Sequence, residues 1–265
     1  ESRNNYMLFN NSQMHKIIAS KHQMVLANCI QNAFRENKLA LAFQPIIDSK
    51  TEKAGFYECL LRIIDEDGDP VTVGPFIPVA EKMGFVDLID SATLTMAIDE
   101  LIKYPDITLS INASHYTLQN LKWMQTITNR LKEHDIANRL IVEITETSTN
   151  LNPEKLEQNV RIIKDLGCKI ALDDFGTGYT SFAQIRTLPL DIVKIDGSYV
   201  RDIQTNADSR AFVETLVQLG KQLKLEVVAE FAENKEIVDI LKSMEIDYIQ
   251  GYYYAAASID RPWEN

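Results

Sequence analysis

Eight short runs rich in apolar and β-branched residues recur along the chain: LAFQPI (41–46), GFYECLL (55–61), TLSINAS (108–114), RLIVEIT (139–145), KIALDDF (169–175), DIVKID (191–196), EVVAEF (226–231) and DYIQGYY (247–253). Between most of them lie stretches with apolar residues at helical spacing, such as LIDSATLTMAIDELIKY, LQNLKWMQTITNRLKEH, EKLEQNVRIIKDLG and SRAFVETLVQLGKQL. Strands alternating with helices make a parallel sheet wound with helices. Eight repeats of the pattern predict an α/β fold, a closed (β/α)8 TIM-like barrel. The length of 265 residues suits one such barrel, since barrels of this kind take about 250 residues. One link departs from the pattern. IDSKTEKA, between the first two runs, is too short for a crossover helix, which needs about a dozen residues. The first strand is therefore expected to run antiparallel to the second.

Ahead of the barrel, MHKIIASKHQMVLANCIQNAFREN reads as one amphipathic helix, suited to capping the barrel, connecting domains or dimerising. Residue 1 is Glu, so the sequence reads as a piece of a longer chain. No apolar run approaches the ~18 residues of a membrane span. The net charge of −11 opposes binding to a nucleic acid polymer, because such binding depends on a basic face. A small anion held through metal is still allowed. Cys29, Cys59 and Cys168 lack paired spacing, which favours a reducing, cytoplasmic setting over a disulfide framework or zinc site. His15, His22, His115 and His134 show no metal-binding spacing either.

The acids carry the functional signal. Inward strand positions in a barrel are ordinarily apolar, and polar residues gather at the C-terminal rim where the chemistry is done. Here Glu58 lies in the second run, Asn112 in the third, Glu143 and Glu146 at the fourth, Asp173 and Asp174 in the fifth, Lys194 and Asp196 in the sixth, Glu230 in the seventh and Gln250 in the eighth. One acid at a strand end is ordinarily solvated or capping a helix. Seven consecutive strands with such residues are a different case. Glu58, Glu143, Asp173, Asp174 and Glu230 on one rim would repel until they take up protons or cations. Oxygen ligands with one amide suit Mg²⁺ or Mn²⁺, and adjacent Asp173 and Asp174 offer one carboxylate to each of two ions about 3.5 to 4 Å apart.

These residues resemble those of the EAL-domain phosphodiesterases of bacterial cyclic di-GMP signalling. The signature stands here as Glu58-Cys59-Leu60 within ECLLR, with Cys for the usual Ala. The likeness continues through FQPI, FIPVAEKMGF, INAS, EITE, DDFGTGYTSF, LPLDIVKIDGSYV, AEFAE and QGY, over about residues 39–256. It implies a barrel with an antiparallel first strand, occupying residues 37–265. It implies two Mg²⁺ or Mn²⁺ ions per site on Glu58, Asn112, Glu143, Asp173, Asp174 and Glu230. Glu58, Glu230, Lys194 and Gln250 are then catalytic, with Lys194 positioning or deprotonating the attacking water and Gln250 completing the network around water and substrate. Arg62 would hold a phosphate, Gln44 would meet a guanine, and Glu146 would anchor the loop after Asp174. The reaction implied is hydrolysis of cyclic di-GMP to linear pGpG by a homodimer, with any membrane anchor lying upstream of this piece.

ESRNNYMLFN resembles the closing strand of a GGDEF domain, which makes residues 1–36 the end of an upstream cyclase module and a connecting helix. Two departures from the family pattern stand out. Phe231 takes the place of a Gly after Glu230, and YYAAAS follows QGY. The alternative function is a receptor of the same fold that binds cyclic di-GMP without cleaving it and signals through its helices. A scaffold for protein interactions, binding no nucleotide, is the alternative from a different class.

Overall fold

The computed structural model describes residues 28–145, 153–176 and 187–264. Its strands are β1 Leu39–Asp48, β2 Ala54–Ile64, β3 Pro70–Thr72, β4 Leu109–Asn112, β5 Leu140–Thr145, β6 Lys169–Phe175, β7 Ile192–Ile195, β8 Glu226–Ala229 and β9 Tyr248–Ile249. They are hydrogen-bonded in the order β1-β9-β8-β7-β6-β5-β4-β2, and β1 also pairs with β2, so eight strands close into a barrel while β3 adds to β2 outside the ring. From β2 through β9 the ring neighbours are parallel. β1 alone opposes them, with Ile47 against Ile249. The short link after β1 makes this necessary, and Asp48 stabilises the turn by accepting hydrogen bonds from the amides of Lys50 and Thr51.

The described residues form two compact units, one of residues 28–40 with Arg62–Phe85, the other of Leu41–Leu61 with the described residues from Val86 onward. In the first, β2 and β3 make a hairpin with Arg62 opposite Thr72. The Asp65 carboxylate caps its turn by accepting from the amides of Asp67 and Asp69. Pro70 opens β3, where its missing N–H costs no ladder bond. Residues 28–35 are helical. The expected helix ends two residues early, in a turn at Glu36 and Asn37; its part before residue 28, the segment likened to a GGDEF strand and Glu146 all lie outside the described residues.

In the second unit β4, β5, β7 and β8 are buried along almost their whole length, β5 and β7 most completely, as expected where helices cover a parallel sheet. The helices Val86–Lys103, Leu121–Glu133, Pro153–Asp165, Ala207–Leu223 and Lys235–Ser243 supply that cover. Leu121–Glu133 buries Trp123, Met124, Ile127 and Leu131, one stripe at helical spacing. Its start is set by Asn120, whose side-chain oxygen accepts from the amides of Lys122 and Trp123. Asn206 and Asn234 cap two later helices in the same way. Among the described residues no helix is long and apolar enough to cross a membrane.

Candidate active site

A floor of apolar side chains fills the barrel at one level, made by Ile46, Phe56, Ile141, Ala171, Ile192 and Val228 with Tyr248 packed against them. Side chains on a strand return to the same face every second residue. Two residues beyond this floor on the parallel strands stand Glu58, Glu143, Asp173, Lys194, Glu230 and Gln250. On antiparallel β1 the step runs backward and yields Gln44. One layer of the barrel interior is thus apolar and the next is polar and charged.

Lys194 stands at the centre of that layer, 1% exposed. Its Nζ lies 2.7 Å from Glu143 Oε2, 2.8 Å from Glu230 Oε1, 3.3 Å from Asp173 Oδ1 and 3.4 Å from Glu58 Oε2. Two amides complete the cluster. Gln250 Nε2 donates to Glu58 Oε2 at 2.7 Å and to Gln44 Oε1 at 3.2 Å, and Asn112 Nδ2 donates to Glu58 Oε1 at 2.9 Å. Gln44 Nε2 is directed away, to the carbonyl of Ala255 at 3.2 Å.

One ammonium does not balance these acids. Burial pushes Glu143 up to about 8, with the charges of Glu58 and Asp173 adding to the rise against the pull of Lys194. Asp174 is raised to about 6 by burial and then by the charge of Asp173. Burial also raises Glu230. Glu58 is lowered: burial works against its charge, but Lys194, Gln250 and Asn112 together prevail. Burial alone would lower Lys194, yet the carboxylates around it hold it above its ordinary value, so it remains an ammonium.

The donor set fits divalent cations. Among the described residues, buried Glu143 Oε1 and Asp173 Oδ1 have no hydrogen-bond partner, and the latter lies 3.3 Å from Lys194 Nζ in an ion pair. Asp173, Asp174 and Glu230 bring ligand oxygens within 4.8 Å of one another. Hard oxygen donors with one carboxamide nearby suit Mg²⁺ or Mn²⁺. Above them opens a cavity of about 310 Å³ lined by Gln44, Glu58, Asn112, Asp173, Asp174, Glu230 and Gln250. That volume is at the small end of ligand pockets.

The structure therefore gathers Gln44, Glu58, Asn112, Glu143, Asp173, Asp174, Lys194, Glu230 and Gln250 in one place. Arg62 belongs to the first unit and is not among the residues that line the cavity. Asp196 has a structural role instead, capping the short helix Gly197–Arg201 through the amide of Ser198. Sequence reasoning did not include Tyr252 and Glu233, which also line the cavity. Tyr252 could have been noticed as an aromatic directly after the Gln250 strand end. Phe231, noticed only as a departure, stands 42% exposed at the mouth.

Residues 27–257 match the family described as EAL domain. Cyclic di-GMP phosphodiesterase PdeF of Escherichia coli (strain K12) is 33% identical over 237 residues, 88% of this chain and 32% of that protein. Cyclic di-GMP phosphodiesterase PdeB of Shewanella oneidensis is 35% identical over 230 residues, 84% of this chain and 27% of that protein. The chain thus spans no more than about a third of either relative. Among solved structures, the PaMucR phosphodiesterase in complex with c-di-GMP superposes with a TM-score of 0.81 at 26% identity, covering 88% of this chain and 96% of that one.

Proposed function

The chain belongs to the EAL-domain family, and from that premise we propose that it is a metal-dependent phosphodiesterase that hydrolyses cyclic di-GMP to linear pGpG. The observation that carries the proposal is the oxygen cluster of Asp173, Asp174 and Glu230 on the cavity wall, with buried Glu143 joined to Asp173 and Glu230 through Lys194. Glu58, Asn112, Glu143, Asp173, Asp174 and Glu230 would hold two Mg²⁺ or Mn²⁺ ions. Bound there, such ions lower the pKa of a water and neutralise charge on the phosphoryl oxygens.

The protein's own groups do the rest. Lys194 stays charged and buried, so it acts as a hydrogen-bond donor and fixed positive charge next to the attacking water. Gln250 spends its N–H donors on Glu58 and Gln44, and its buried Oε1 has no partner among the described residues. That oxygen is free to accept a hydrogen bond from the water and orient it. Asn112 steadies Glu58 by its hydrogen bond. Arg62 would pair with a phosphate in ground and transition states alike, contributing roughly 1.5 to 3 kcal/mol.

Incubation with cyclic di-GMP and Mn²⁺ or Mg²⁺, followed by chromatography for pGpG, tests the reading. Linear product that disappears with chelator is the expected result. Hydrolysis that persists in excess chelator would overturn the metal dependence. Tight binding without any pGpG would transfer the chain to the receptor reading.

A further inference from the structure

Neighbouring residues of a regular strand point to opposite faces, yet Asp173 and Asp174 both line the cavity. The backbone accounts for this. Leu172 stands opposite Val193 and Phe175 opposite Ile195, so three steps along β6 match two along β7. Asp174 itself takes a φ of +56°. An extra residue with positive φ is a bulge, which re-aims the side chains around it. Such a conformation in a non-glycine residue persists only where its surroundings hold it.

The far end of the bulge is held closely. Gly176 takes a φ of +104°, and a Cβ there would lie 2.8 Å from the rings of both Tyr199 and Phe212. Tyr199 Oη donates to the Gly176 carbonyl at 2.7 Å. The Tyr199 ring stacks on Phe212 with centroids 4.0 Å apart and an interplanar angle of 26°. Tyr199 comes from the short helix after β7, and Phe212 from the helix Ala207–Leu223. Two elements of the barrel wall thus meet at Gly176, two residues beyond Asp174, and Tyr199 alone bonds its carbonyl.

We propose that Tyr199 is a positioning residue for the cation site: its hydroxyl and stacked ring fix the β6 bulge and so keep Asp173 and Asp174 turned into the same cavity. The inference rests on the metal-binding reading of that cavity. Tyr199 acts through the backbone and touches no reacting group. Tyr199→Phe keeps the ring stack and removes only the hydroxyl.

The test is a titration of purified protein with Mn²⁺ alone, reading free Mn²⁺ by electron paramagnetic resonance, alongside urea unfolding. Partners that orient metal ligands typically alter metal affinity 10- to 100-fold. Tyr199→Phe is expected to weaken Mn²⁺ binding about 10-fold with an unfolding midpoint near wild type, and raised Mn²⁺ should restore its turnover. Tyr199→Leu, which also loses the stack, should bind more weakly still. Wild-type Mn²⁺ affinity in Tyr199→Phe, with wild type itself binding, overturns the positioning role alone. Wild type binding no Mn²⁺ overturns the metal reading and this inference with it.

Discussion

Phe231 holds a φ of +55°, a left-handed conformation that costs a non-glycine residue roughly 1 to 2 kcal/mol. Its surroundings offset that cost. The ring lies where a Cβ on Gly197 would come within 2.2 Å of it, and the Arg201 guanidinium sits 4.3 Å above its centre. Gly197→Ala should therefore destabilise the protein, and Phe231→Gly in the same chain should remove the clash. We expect a coupling of roughly 1 to 3 kcal/mol in a double-mutant cycle by urea unfolding; additive effects would show that the ring is not seated there. Lys194→Met is expected to cost about 3 to 5 kcal/mol, because it leaves buried carboxylates without their cation. Added Mn²⁺ should then raise the melting temperature of this variant more than that of wild type, and an equal rise in both would contradict the charge argument. The acids, Lys194 and Gln250 were legible in the sequence because a charged or amide side chain on an apolar strand is conspicuous, whereas Gln44 came only with the family resemblance. The service of Tyr199 to Gly176 was not. It depends on a positive φ and on a ring brought from another element, and neither leaves a periodic trace.

Among the elements, the helices announced themselves better than their ends. The stretch 118–134, read as helical throughout, begins on the last residue of the short helix His115–Leu118 and becomes helical again only over Leu121–Glu133. Asn120 interrupts it by turning its side-chain oxygen to the amides of the second helix, while its Nδ2 donates to Asp87 at 3.0 Å. Asn120→Ala should cost about 1 kcal/mol and leave hydrolysis unchanged, as chemical denaturation and a turnover assay together would show; an unaltered unfolding midpoint would mean the cap is idle. The seventh and eighth runs are also shorter as strands than their sequence pattern, ending at Ala229 and Ile249. Gly251 explains the second case, since a Cβ there would meet the Ala232 backbone at 2.1 Å. The two segments turn against each other directly after Glu230 and Gln250. Period-two patterning continues through such a turn, whereas close backbone approach does not show in a pattern of apolar residues.

At the scale of the whole molecule, the antiparallel first strand was legible from the length of one link, and the closure of the ring followed from the number of strands. The β1–β9 pair closes the ring, with Ile47 facing Ile249. Beyond β9 the chain returns to β1, where Phe43 and Ser258 form a bridge and the Trp263 ring lies against Phe43, Tyr57 and Tyr104. Removing residues 248–265 should leave β1 and β8 with unpaired edges, which invite pairing between chains. Such a truncated chain is expected in the insoluble fraction on expression, or as a soluble species without cooperative unfolding; a soluble, cooperatively unfolding product would show that the sheet does not need its closing strand. The same topology sets an order of events during translation. At roughly 5 to 20 residues per second, β9, which closes the ring against the other edge of β1, leaves the ribosome some 10 to 40 seconds after β1 itself, so for that interval the nascent sheet stands open and depends on chaperones or dilution to keep its edges apart.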